Sequence, residues 1–170
     1  MKINQFFVAG IFFLIGETGK SQPVPNGNIL NPTLGKFEGT WQWANGTDTV
    51  RIVLRKENIL LPFPENSRTD AIIGFHLYKR SNSTIEGSIN HINTSHSDKL
   101  FTMLGTNDNS GDTLFCSLKD ISKNKFGSLN LVLKSGRNEL KWTLRNREGV
   151  KIGPFDYGFT LPLSLVLRKL

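Results

Sequence analysis

One cysteine, Cys116, is all the chain contains, so no disulfide can form within it and packing must carry stability alone. Also missing is a stretch of about 20 apolar residues, the length a helix needs to cross a bilayer. The motifs G-x-S-x-G, H-E-x-x-H and C-x-x-C do not occur; their absence removes the common local signatures of hydrolases, zinc peptidases and thiol redox enzymes. Lysines and arginines outnumber acids by 21 to 14 but gather in no run, which excludes a basic nucleic-acid arm. Internal repeats, low-complexity tracts and a persuasive helical period are lacking as well.

The hexapeptide GETGKS at 16–21 resembles the end of a phosphate-binding loop, but Leu14 stands where that loop needs its first glycine. Pro23, Pro25 and Pro32 follow, where a helix would have to start. The same residues read better as the end of a secretory signal spanning residues 1–21. Lys2 supplies a positive start, Phe6 to Ile15 an apolar core, and Gly19 and Ser21 the small residues before a cut that leaves Gln22 first. No cysteine near that point offers a site for lipid attachment. Losing Lys2, Lys20 and Glu17 takes the net charge from +7 to +6 and leaves 149 residues, enough for one domain. The expectation is an exported, periplasmic or secreted monomer.

From Lys36 onward the chain alternates by twos. Asp48, Val50, Ile52 and Leu54 share one face if extended, against Thr49, Arg51 and Arg55. Ala71, Ile73, Phe75 and Leu77 oppose Gly74, His76, Tyr78 and Arg80; the leucines at 114, 118, 129, 131 and 133 repeat the pattern with Cys116. Clearest is Leu140, Trp142 and Leu144 against Glu139, Lys141, Thr143 and Arg145. Turn residues separate the runs, with Asn45-Gly46 the strongest hairpin signal. The reading is an all-β domain over 36–170, an antiparallel up-and-down meander of about eight to ten strands, preceded by an extended leader at 22–35. Closure into a barrel leaves no edge to aggregate.

Phe37-Glu38-Gly39-Thr40-Trp41 resembles the F-x-G-x-W opening strand of lipocalins and other calycins. That resemblance implies that Gly39 and Trp41 help plug one end of a barrel and that Arg168, on the last strand, packs across the tryptophan. The stretches GKFEGTW, IIGFHLY and LPLSLVLRKL are similar to those of a family of uncharacterised exported proteins of Bacteroidota, a domain of unknown function, over residues 34–170. No activity is assigned to that family, so it implies export and a barrel only.

Two functions fit this sequence. One is a lipocalin-like carrier of a small apolar ligand, lined by Ile52, Leu54, Phe75, Leu77, Leu140, Trp142 and Leu144. The other is a barrel filled by its own side chains that meets an envelope or secreted partner through its surface. No catalytic residues, cofactor or metal are expected. His91, His96 and Asp98 fit no common zinc spacing, His76 reads as an outer-face residue, and Cys116 reads as a small buried hydrophobe.

Overall fold

The computed structural model describes residues 25–62, 65–107, 111–148 and 156–170. The signal segment and its cleavage point lie outside them. Among the described residues ten strands form one sheet: β1 (Asn28–Ile29), β2 (Gly39–Asn45), β3 (Asp48–Leu60), β4 (Arg68–Arg80), β5 (Ser83–Gly87), β6 (Met103–Thr106), β7 (Thr113–Asp120), β8 (Lys125–Leu133), β9 (Glu139–Asn146) and β10 (Ser164–Lys169). Eight of these make an antiparallel barrel, all but β1 and β5. It closes where β10 meets β2 and β6 meets β4. β1 adds a two-residue parallel pairing to the start of β4, and β5 pairs with its end.

Tight turns set the registers. Asn45 is the last paired residue of β2, opposite Asp48, and the loop itself is Gly46-Thr47 with φ 55 at Gly46. Ser81 and Asn82 both take positive φ between Arg80 and Ser83, the conformation that matches strand twist in a two-residue hairpin. From these registers follows which side chains face inward. Trp41, Ile52 and Leu54 on β2 and β3 point in, as do Leu114, Cys116 and Leu118 on β7, Leu129, Leu131 and Leu133 on β8, Leu140, Trp142 and Leu144 on β9, and Leu165 and Leu167 on β10.

β4 reverses the expected parity. Ile52 lies opposite His76, Val50 opposite Tyr78 and Leu54 opposite Gly74, and directly paired residues share a face. His76 therefore points into the barrel, whereas Phe75 and Leu77 lie on its outer wall. Periodicity could not decide this, because β4 is buried on both sides: Ile72, Ile73, Phe75 and His76 are all fully shielded. The excursion between β5 and β6 accounts for the outer burial. It is strapped over the neighbouring β3 by Arg55, whose Nη1 donates to the Ile92 carbonyl at 2.8 Å, and by Glu57, which accepts from the His96 backbone N–H at 2.9 Å.

One end of the barrel is sealed by a short 3-10 turn, Pro32–Phe37, within the segment expected to be an extended leader. Asn31 starts it by accepting from the Thr33 N–H, and a proline at the first helical position loses no hydrogen bond there. Leu34 and Phe37 drop into the core. Trp41 packs behind them, and its Nε1–H donates to the Phe37 carbonyl at 2.9 Å. Gly39 has φ 122, a conformation that side chains beyond glycine rarely adopt. The cation over the indole is Lys169, with Nζ 5.0 Å from the ring centroid. Arg168 faces out, paired with Glu139 at 3.4 Å and largely exposed. The parity of β10 decides this: Lys169 pairs directly with Trp41, and Arg168 with Gln42.

Beside this plug lies a buried carboxylate, Asp70. It accepts from the Asn31 N–H at 2.9 Å, Asn58 Nδ2 at 3.0 Å and Lys56 Nζ at 3.2 Å. Chiefly the Asn31 backbone bond, then Asn58, hold its pKa below the ordinary carboxylate value.

Candidate functional site

The edge of β4 that faces β5 and β6 is shared. Ile72 to Gly74 pair with β6, and Leu77 to Arg80 pair with β5, so the wall forks between them at Phe75 and His76. Two residues bridge the fork. The Ser88 N–H donates to the His76 carbonyl at 2.7 Å, and the Thr102 N–H to the Gly74 carbonyl at 2.9 Å. Gly87 lets the strands come this close, since a Cβ there would sit 2.9 Å from the His76 carbonyl oxygen.

Four polar side chains meet in the fork, all shielded from solvent: His76, Glu86, Ser88 and Thr102. His76 Nε2 lies 3.0 Å from Glu86 Oε1, and Nδ1 lies 2.8 Å from Thr102 Oγ1. Thr102 Oγ1 is 3.0 Å from Ser88 Oγ, which accepts from the His76 backbone N–H at 3.2 Å. Glu86 Oε2 accepts from the Ser122 N–H at 2.8 Å. With imidazole neutral, one assignment of protons satisfies every group. Ser88 donates to Thr102, Thr102 donates to Nδ1, and Nε2–H donates to the carboxylate. Burial pushes the Glu86 carboxyl upward, but hydrogen bonds from His76 and Ser122 outweigh it, so its pKa lies below the ordinary value.

A cleft of 310 Å³ on the outside of the fork reaches this cluster. Ser88 and Thr102 line it together with Lys99, Lys119, Leu100 and Phe101. Its lining also includes His91 and Ile121 but no carboxylate. Neither lysine is ion-paired to a described residue. A volume in this range suits a small molecule, and apolar walls with unpaired cations suit an amphiphilic anion. A larger hollow of 570 Å³ beside Trp43 has its charges already matched, because Arg168 and Glu139 both line it.

Large side chains occupy the interior. Trp41, Trp142, Tyr78, Phe37, Phe75, Leu34 and Met103 are among the largest fully buried side chains. All but Phe75 belong to one continuous core with Ile52, Leu54, Leu140 and Leu144. Five of the seven residues expected to line a ligand thus face inward, into packed neighbours. Phe75 and Leu77 do not, being on the outer wall. Cys116 faces the same core, and burial pushes its thiol up to about 12, which leaves it un-ionised and inert.

The polar loop residues have local roles. His96 stacks on Phe101 at 5.1 Å between centroids, and Asp98 caps its own 3-10 turn by accepting from the Ser95 N–H at 2.7 Å. Among the described residues no group of three or more His, Cys, Asp or Glu side chains is placed to hold a metal.

The fork cluster escaped local pattern reading because His76 to Thr102 spans 26 residues and His76 to Glu86 spans 10. One signal was present: a histidine in the middle of the apolar run Ile72–Tyr78, which is unusual for a surface position. No curated protein and no solved structure matches the chain. A family model matches residues 1–169, and the chain belongs to that family of unknown function, DUF6705.

Proposed function

We propose that this is an exported monomeric barrel that binds a small amphiphilic anion at the fork cleft on its outer wall, leaving the interior as a structural core. The carrying observation is the pairing of a packed interior with an outer cleft that combines two lysines free of partners among the described residues, buried hydroxyls and an apolar wall. Export rests on the basic, apolar and small-residue sequence of the first 21 residues. A carrier of the lipocalin kind, with its ligand inside, is disfavoured by the filled core, because admitting a ligand requires displacing Trp142 or its neighbours.

Octanoate serves as a probe of this reading. Calorimetric titration should give a single site, and the double variant Lys99→Met/Lys119→Met should bind about tenfold more weakly, the effect of about 1.4 kcal/mol lost from two partly screened charges. Equal affinity in both proteins, or no binding by the unaltered chain, would remove the fork cleft as the binding site.

A further inference from the structure

We propose that the fork is a catalytic centre for acyl transfer, in which Thr102 is the nucleophile, His76 the general base and Glu86 the positioning carboxylate. This rests on the binding reading above, since the acyl donor would be an ester of the same amphiphilic acids. The order of contacts carries it. The hydroxyl of Thr102, a residue that lines the cleft, lies 2.8 Å from one imidazole nitrogen, and the other nitrogen lies 3.0 Å from a carboxylate. Nucleophile, base and orienting group within hydrogen-bond reach are what covalent catalysis by a weakly acidic alcohol requires. The carboxylate is itself fixed by the Ser122 N–H, and in the neutral ring an Nε2 proton shared with it leaves Nδ1 as acceptor.

A purely structural plug needs no such order. At the sealed end Asp70, which itself lines a 270 Å³ hollow, is satisfied by amide and ammonium donors with no imidazole among them. In the fork, Thr102 lines the cleft, while His76 and Glu86 are not among its lining residues. Lys119 is held close by its backbone N–H, which donates to the Thr102 carbonyl at 2.8 Å.

The reaction balances without any group besides water. Thr102 Oγ attacks the ester carbonyl carbon as its proton passes to His76 Nδ1, and the carbonyl electron pair moves to oxygen, where the cleft's lysines supply positive potential. Collapse of that intermediate breaks the carbon–oxygen bond to the alcohol, which leaves with the proton from Nδ1. The acyl group is now on Thr102. Water attacks it with His76 again taking the proton, releasing the carboxylic acid and restoring the threonine hydroxyl. Glu86 stays ionised throughout and stabilises the imidazolium formed in each half.

The test uses the full chain with p-nitrophenyl octanoate, following release of nitrophenolate and, in parallel, the mass of the intact protein and its peptides. We expect a burst near one equivalent, an added octanoyl group mapped to Thr102, and its loss in Thr102→Val, which keeps the side chain's shape. Glu86→Gln should slow acylation at least 100-fold and change its pH profile, while circular dichroism and melting verify that each variant is folded. No adduct and no rate above buffer, an adduct on Lys99 or Lys119 alone, or an unchanged rate in folded Thr102→Val would each overturn the proposal. Octanoate binding with no acylation would overturn catalysis while leaving the binding reading intact; absence of both would end both.

Discussion

Asp70 and Glu86 are both buried carboxylates facing inward on adjacent strands, yet one sits in the sealed end and the other in the fork. Asp70 is held by donors that have no other chemistry: a backbone N–H, an amide and an ammonium group. Glu86 is held by a backbone N–H and an imidazole whose far nitrogen reaches hydroxyls at a cleft. Both are buried and both have lowered pKa values, and the partners decide what each group can do. A carboxylate satisfied by fixed donors closes a barrel. One satisfied through histidine can also support a proton transfer.

The largest expected effect falls on the sealed end. Trp41→Ala should destabilise the protein by about 3–5 kcal/mol in chemical denaturation, since it empties a fully buried indole site and orphans the Phe37 carbonyl. An unchanged midpoint would mean that this end is not the structural plug. Next comes Asp70→Ala, expected to cost about 1–3 kcal/mol by leaving the Asn31 N–H and its neighbours without their acceptor. It should leave octanoate binding at the fork untouched; weakened binding in a folded Asp70→Ala protein would show that the two ends are not independent.

Acid should reveal the same carboxylates. Both Asp70 and Glu86 have pKa values lowered by folding, so each contributes stability that is fully present above its unfolded value of about 4 and is lost as pH falls through the lower folded value. Urea midpoints measured between about pH 2 and 7 should drop on the acid side, and the drop should be shallower in Asp70→Asn. A drop of equal steepness would assign acid sensitivity elsewhere. The smallest contrast separates Lys169 from Arg168. Lys169→Met should cost about 0.5–1 kcal/mol through the lost contact with Trp41. Arg168→Met, which breaks an exposed ion pair, should stay within about 0.5 kcal/mol of the unaltered protein. A reversal of that order would restore the arginine as the cation that matters.

Much of the barrel was legible because most of its wall is wet on one face. Leu140, Trp142 and Leu144 alternate with exposed or half-exposed polar residues, so period two gave their direction correctly. β4 is shielded on both faces, and there the pattern carried no parity. Phe75 and His76 exchanged sides for that reason. Arg168 was expected to pack across Trp41, but the parity of β10 puts Lys169 over the indole and turns Arg168 outward. The fork cluster could not be read at all from spacing, since it is assembled by two strands parting around His76, and strand pairing over that distance is a property of the closed barrel.

On the proposed reading, ligand chemistry happens at the fork and the interior stays packed. Two-dimensional NMR of the full chain titrated with octanoate tests it most directly, with amides reporting the wall and leucine methyls the core. Shifts are expected at Ser88, Leu100, Thr102 and Lys119, with the methyls of Leu129, Leu131 and Leu144 unmoved. Large shifts of those methyls with a silent fork would contradict it and would make the protein an interior carrier.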